Sequence, residues 1–220
     1  MALASSDILS SVRDELLDAG VAPAQTWSNT TLLRWLSEVL GAAVTLKRDI
    51  APQIVQIALA TGSVQQVPSS SPNCAMFLQG YFNTTSGNAI TPGGVLLLSR
   101  KRPNWRGQPA AVDVIEYEAD RRSPQYFHVF PPNNGTGNIT ALCGVIPVVV
   151  ATTDLIVVPD HYRSALMHGV VAKAYGASTR RNDVQKMMSH WQMFEAMIIG
   201  AKTAQAEVSA GVTDLAETPG

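Results

Sequence analysis

The sequence predicts an α+β protein: a helical bundle of two N-terminal and two C-terminal helices, with an inserted antiparallel β-sheet or sandwich. Three observations lead to this prediction. Apolar residues recur at helical spacing over residues 8–46, alternate with a period of two from residue 53, and return to helical spacing after residue 159. The predicted boundaries are 1–52 for the first helices, 53–158 for the β-rich insertion, 159–200 for the last helices and 201–220 for a C-terminal tail.

The first two helices are predicted from apolar stripes with start and stop residues. The first helix carries its stripe at Ile8, Leu9, Val12, Leu16 and Leu17. Ser28 is a favourable N-cap for the second helix, because its hydroxyl can accept from a free backbone N–H. The second stripe consists of Leu32, Leu36, Val39, Ala43 and Leu46. Pro52 ends this region, because proline cannot continue a helix.

The insertion is predicted from short strand-like segments separated by turn residues. Residues 53–59 alternate in hydropathy, and Gly62-Ser63 offers a turn after them. Further strands are predicted at 95–99, 112–118, 126–130 and 139–145, with Gly, Pro and Asn in the connections. This spacing favours a compact antiparallel sheet or sandwich between the helices.

The last two helices carry rows of apolar residues. Leu166, Val170 and Ala174 form one row of the third helix. The fourth helix repeats apolar residues with alternating steps of three and four, at Val184, Met187, Trp191, Phe194 and Ile198, which is typical of a packed helix seam. Four of the seven methionines lie in this helix. They fit either core filling or an adaptable contact surface for a partner.

The charge content is low for a chain of 220 residues. Charged residues make up 15%, and the formal net charge is -1. This composition excludes charge-driven disorder and disfavours a free-standing basic protein that binds nucleic acid. It fits a subunit covered by neighbours, since interface cores are depleted in charge, and it equally fits a low-charge soluble domain.

The chain shows no pattern of export or membrane insertion. Residues 1–18 lack a basic segment followed by an apolar one, so we expect no signal peptide. The longest apolar run, 139–159, contains Pro147 and Asp154 and many β-branched residues, which predicts buried strands rather than a membrane helix. Cys74 and Cys143 lie in apolar contexts without a CxxC spacing, so we expect buried, reduced thiols.

No motif in the sequence points firmly to catalysis. Asp160, His161 and Ser164 are close in sequence, but a helix start places them on different faces, and no GxSxG motif is present. Glu116 and Glu118 share a strand face, as a carboxylate pair or as ordinary solvated residues. The histidines lack metal-ligand spacing. We therefore expect no enzyme, metal or cofactor, and keep a small hydrolase using Asp160, His161 or Glu116 as a remote alternative.

One basic cluster stands out in the sequence. It consists of Arg100, Lys101, Arg102 and Arg106, with Trp105 between them. Guanidinium and aromatic groups together can contact a nucleic-acid backbone. The same cluster could pair with an acidic neighbouring protein, or it could simply solvate a loop.

The order of several short motifs resembles a known family. The motifs lie between about residues 5 and 201: Trp27-Ser28 followed by Leu32, Leu33, Trp35 and Leu36; Thr91-Pro92-Gly93; Pro103-Asn104-Trp105; YFHVFPP at 126–132; Pro159-Asp160-His161-Tyr162; Ala174-Tyr175; and His190-Trp191-Gln192-Met193-Phe194. In this order they resemble the phage head-to-tail adaptors, also called connector or tail tubular proteins of short-tailed phages.

The resemblance implies a structural virion protein without turnover. It implies a ring of about twelve copies of the chain below the portal protein, at the head-tail junction of a virion assembled in the host cytoplasm. Its implied partners are further copies, the portal, tail or nozzle proteins, and viral DNA through non-specific contact, with no membrane and no cofactor. In similar adaptors the C-terminal segment reaches the portal, which implies portal contacts at Met193, Met197, Ile198, Ala201, Lys202 and Ala204. Another neck, tail-completion or minor capsid protein is the alternative.

Overall fold

The computed structural model describes residues 2–18, 26–69, 73–94, 99–100, 103–120, 122–177 and 183–214, the last part from 201 onwards as helical backbone. Four α-helices and mainly antiparallel strands lie in these residues, which confirms the α+β class. In chain order the elements are β1 Ala2–Ala4, α1 Ser5–Glu15, α2 Asn29–Leu46, β2 Pro52–Ala58, β3 Thr61–Gln66, β4 Cys74–Asn83, β5 Thr91–Pro92, β6 Glu116–Ala119, β7 Tyr126–Asn134, β8 Asn138–Val145, β9 Leu155–Pro159, α3 Arg163–Ala177 and α4 Val184–Asp214. Short 3-10 turns lie at Trp105–Gly107 and Asp160–Tyr162.

The chain forms two compact units. Residues 1–50 and 147–220 make a helical unit, and residues 51–146 make a β unit. Residues 147–158, which the sequence analysis assigned to the insertion, therefore group with the helices. The reason is that β9 pairs with β1: Leu3 lies opposite Ile156, and the Ser5 N–H donates to the Asp154 carbonyl at 3.0 Å.

The helices of the helical unit pack through the predicted apolar rows. α3 contacts α1, α2 and α4. Its row of Leu166, Val170 and Ala174 is buried, and so are Leu32, Leu36, Val39 and Ala43 of α2. Gly169 marks the closest approach, since a Cβ added there would lie 2.5 Å from Val39 Cγ1 and 3.3 Å from Phe194 Cδ2. The helices meet where glycine leaves room for the neighbouring side chains.

A buried carboxylate organises the link between α1 and α2. Asp18 accepts hydrogen bonds from the backbone N–H groups of Thr26, at 2.7 Å, and Trp27, at 3.2 Å, and it pairs with Arg13 at 3.1 Å. Burial raises the pKa of Asp18, but the hydrogen bonds from Thr26 and Trp27 and the Arg13 charge bring this pKa below its ordinary value. α2 then starts at the predicted cap: Ser28 Oγ accepts from the Thr31 N–H at 3.2 Å.

The β unit contains two sheets that share one core. One sheet has the order β2-β8-β4, and the other has the order β3-β7-β6-β5. All the pairs are antiparallel except the two-residue pair of β5 with β6, which is parallel. Side chains from both sheets, among them Val55, Ile57, Phe77, Phe127 and Ile139, form a single buried cluster.

A long bent ribbon joins the two sheets. Residues 52–66 run antiparallel to residues 126–145, and both change sheet at the same corner, near 59–61 and 135–137. Gly62 and Gly135 have φ values of 108° and 91°, which favour glycine. The predicted turn at Gly62-Ser63 is therefore wrong, because both residues lie within β3 and the bend precedes them.

The buried side chain of Asn133 satisfies the backbone at this corner. Its Oδ1 accepts from the N–H groups of Gly135, at 2.8 Å, and Gly137, at 3.2 Å. Its Nδ2 donates to the Val112 carbonyl at 2.8 Å. Buried backbone groups need hydrogen-bond partners, so the side-chain amide of Asn133 takes the place of the strand-to-strand hydrogen bonds that the corner interrupts.

The two cysteines are confirmed as buried and free. Burial, and then the neighbouring Cys74, raise the pKa of the Cys143 thiol, so it stays protonated at neutral pH. In the described part of the chain, no helix is both long enough and apolar enough to span a membrane.

Candidate interaction surfaces

The first half of α4 has a buried side and an exposed side. Phe194 and Ile198 are fully buried. Met188, Met193 and Met197 lie on the exposed side, with 52%, 44% and 42% of their surface accessible. Core filling is therefore wrong for three of the four methionines, which face outwards, and Met187 is half-buried. The interpretation of these methionines as a contact surface for a partner stays a prediction.

The residues predicted to contact the portal divide accordingly. Met193 and Met197 are available for contact. Ile198 is not, because it is fully buried, so we correct its assignment to a core residue. Ala201, Lys202 and Ala204 belong to the helical backbone of α4, which continues to Asp214 and beyond the predicted end at residue 200. Alanine-rich sequence favours this continuation, since alanine has the highest helix propensity.

A groove lies between α2, α3 and the first half of α4. Its volume is about 690 Å3, and its lining includes Trp35, Ala172, Gly176, Met187 and Trp191. Charged groups at its rim are already paired: Lys173 Nζ lies 2.9 Å from Glu38 Oε2. The Trp191 Nε1–H donates to Glu195 Oε1 at 2.9 Å. The groove therefore presents mainly apolar surface beside the exposed methionines.

A histidine pair joins α3 to α4. His168 Nδ1 and His190 Nδ1 are 2.9 Å apart, so one ring donates and the other accepts. Glu15 of α1 lies 3.9 Å from His190 Nε2, and the Tyr175 ring stacks on His190 at 5.8 Å. Burial lowers the pKa of His168, and the neighbouring His190 lowers it further, against the opposing effect of Glu15. This pair was not predicted from the sequence, because the two residues are 22 positions apart on different helices.

The basic loop lies in the β unit and is anchored by Trp105. This side chain is buried, and its Nε1–H donates to Ser99 Oγ at 3.1 Å. The Arg106 guanidinium lies over the Trp105 ring, 5.0 Å from its centre, and is exposed, as is Arg100. Lys101 and Arg102 lie outside the described residues. Two of the four predicted basic side chains are therefore accessible on the described surface.

Two of the residues considered for catalysis, Asp160 and His161, make structural contacts. Asp160 Oδ1 lies 3.8 Å from Arg163 Nε, and Arg163 also pairs with Asp7 at 2.6 Å. The His161 ring packs on Tyr162 at 4.1 Å. Within the described residues, no three His, Cys, Asp or Glu side chains are placed to hold a metal ion. Asp160 thus stabilises the start of α3, where a negative charge is favourable.

Comparison with protein families decides the class of this chain. Residues 4–214 match the SU10 adaptor protein family. The chain belongs to this family. It is a family of phage head-to-tail adaptors, so the resemblance found in the sequence is confirmed. A comparison with curated proteins finds no match to the chain.

Membership of the SU10 adaptor family shows a structural role as a phage adaptor. Family membership implies a location in the virion and interaction with other virion components. The surfaces described above are therefore candidate surfaces for assembly: the methionine face of α4, the neighbouring groove and the basic loop.

Proposed function

We propose that this chain is a subunit of a closed adaptor ring that joins the portal to the tail and surrounds the DNA exit channel. The observation that carries the proposal is the family match, which spans residues 4–214 and so includes both units. A ring of about twelve copies uses heterologous contacts, in which two different surfaces of one chain meet.

In this proposal α4 is the element that docks on the portal. α4 has 31 residues, and α3, against which it packs, has 15. At a rise of about 1.5 Å per residue, α4 is about 46 Å long and α3 about 22 Å. The second half of α4 thus has no equal length of α3 beside it. The exposed Met193 and Met197 lie in the first half of α4, before this part, and methionine adapts to irregular partner surfaces.

Contact with DNA is assigned to the basic loop and is non-specific. Arg106 is held over Trp105 and exposed, which suits a phosphate backbone. The net charge of -1 gives no general attraction for DNA, so the channel should let the genome pass without gripping it. A strong preference for one DNA sequence at physiological salt would contradict this assignment.

Truncation of α4 tests the docking role. We expect that removal of residues 204–220 leaves the thermal melting of the chain unchanged but abolishes its co-sedimentation with portal rings. A second variant, Met193→Gln with Met197→Gln, should weaken co-sedimentation as well. Leu17→Gln is the matched control, because Leu17 is also exposed but lies beyond the end of α1. Normal co-sedimentation of the truncated chain would show that another surface docks on the portal.

Native mass spectrometry tests the ring. With portal protein present, we expect a closed cyclic oligomer of this chain. A chain that stays monomeric with and without portal protein contradicts the proposed function.

A further inference from the structure

The segment that supplies the edge strands of the β unit carries no charge. Between Asp49 and Arg100 the sequence contains no Asp, Glu, Lys, Arg or His. This segment includes β2 and β4, the edge strands of one sheet, and β3 and β5, the edge strands of the other. Natural edge strands are usually protected against pairing with other chains, most often by lysine, by proline or by a bulge. β2 has a proline only at its first position, Pro52, so proline does not protect the rest of this edge.

The pairing of β2 with β8 shows which backbone groups are free. The Ala51 carbonyl accepts from the Val145 N–H at 3.0 Å, and the Leu59 N–H donates to the Gly137 carbonyl at 2.9 Å. The register between them is unbroken, with Val55 opposite Ala141. Because bonded and non-bonded pairs alternate in an antiparallel ladder, the odd-numbered residues of β2 bond to β8.

The even-numbered residues of β2 therefore direct their N–H and C=O groups away from β8. These residues are Pro52, which has no N–H, and Ile54, Gln56 and Ala58, and all are exposed. Ile54 has 65% of its surface accessible. No other strand of the described chain pairs with this side of β2. Within the described part of the chain, the result is a row of backbone groups that no strand pairs, flanked by neutral side chains.

We propose that this edge of β2 pairs with an extended strand of a second copy of the chain. The occupant follows from the charge pattern: β3, an edge strand of the other sheet, lies in the same uncharged segment, so β2 of one copy can meet β3 of the next copy with no like charges opposite each other. These two edges are different surfaces of one chain, as the contacts of a ring require. Recognition of a different protein commonly uses complementary charges, which this edge does not offer. Backbone hydrogen bonds then supply the affinity. This inference rests on the proposed ring, because the edge of β2 would be one of the surfaces through which neighbouring copies in the ring join.

Residue-resolved hydrogen exchange on the full chain, alone and assembled on portal rings, tests the pairing. The N–H groups of Val55 and Ile57 should be protected in both states. Those of Ile54, Gln56 and Ala58 should exchange quickly in the monomer and become protected on assembly. Assembled rings in which these three N–H groups stay unprotected overturn this inference but leave the proposed function standing. Protection that appears in monomers on addition of a different virion protein also overturns it.

Two substitutions at one position complete the test. Gln56→Lys places a charge on the edge, and Gln56→Pro removes an outward N–H without removing a bond to β8. In sedimentation velocity with portal rings present, each should weaken assembly of the chain at least about tenfold, with unchanged melting for the lysine variant. Gln108→Lys is the matched control, since Gln108 is exposed but lies outside the strands. Equal self-association of Gln56→Lys and wild type overturns the inference, and a wild-type chain that never assembles overturns it together with the ring.

Discussion

Two helix glycines provide a matched test of the packing between α2, α3 and α4. Gly41 and Gly169 both lie within helices, α2 and α3 respectively. A Cβ added at Gly41 meets nothing within 4 Å, whereas at Gly169 it lies 2.5 Å from Val39 Cγ1 and 3.1 Å from Val39 Cγ2. Val39 is β-branched and holds one preferred rotamer in a helix, so it cannot turn aside easily.

The expected free-energy changes have opposite signs. Gly41→Ala should stabilise the protein by about 0.5–1 kcal/mol, because alanine loses less backbone entropy on folding. Gly169→Ala gains the same amount but adds an overpacking cost of about 1–3 kcal/mol, so its net effect is a loss of stability. The two variants should therefore differ by about 1–3 kcal/mol in the free energy of unfolding.

Urea denaturation of both variants and of wild type measures this difference. A third comparison makes the cause specific: Val39→Ala should cost less in the Gly169→Ala background than alone, because it relieves the clash. If Gly169→Ala stabilises the chain as much as Gly41→Ala does, the close contact of α2 with α3 is wrong.

Three further predictions concern Phe194 with Trp191, His168 and Asn133. Phe194→Ala should lower the free energy of unfolding by about 3–5 kcal/mol. Trp191→Ala should lower it by less, since Trp191 is only partly buried in the groove. Equal losses of unfolding free energy for the two variants in urea denaturation would contradict this. The pKa of His168 lies below its ordinary value of 6.5, so the stability that its neutral form contributes is complete above pH 6.5 and is lost as the pH falls. The melting temperature of wild type should therefore fall with the pH, and that of His168→Gln should fall less. An equal fall in both proteins would contradict the role of the His168–His190 pair. Asn133→Ala should lower the free energy of unfolding by about 1–3 kcal/mol, because it leaves buried backbone groups unpaired. An unchanged melting temperature would contradict the role of Asn133 at the corner.

Much of the helical unit could be predicted from the sequence, because one apolar side of each helix determines its local pattern. The Ser28 cap and the buried row of Leu166, Val170 and Ala174 were predicted correctly. Val184 was not: it fits the spacing of the seam but is exposed at the first position of α4, where a side chain lies at the end of the contact with α3.

The strands were predicted less completely, because their patterns are interrupted by long-range geometry. Predicted strands at 126–130 and 139–145 lie within β7 and β8. The strand predicted at 112–118 is found only at Glu116–Ala119. Of the strand predicted at 95–99, Ser99 is helical instead, and residues 95–98 lie outside the described residues. β4 was missed because its register against β8 shifts at three places, which removes the alternation of buried and exposed residues.

The candidate surfaces could be predicted only in part. The methionines of α4 and the basic loop were visible as composition. The histidine pair and the groove were not, since they arise from contacts between helices distant in sequence. The free edge of β2 depends on which strand lies outermost in the sheet, and the order of strands cannot be predicted from the sequence of any one strand.

Cryo-electron microscopy of the assembled phage particle locates this chain directly. We expect a closed ring of this chain directly below the portal, with α4 in contact with portal subunits and the DNA channel passing through the ring. Density for this chain at another position along the tail, or a particle that carries the portal and tail joined without it, would contradict the proposed role as an adaptor ring.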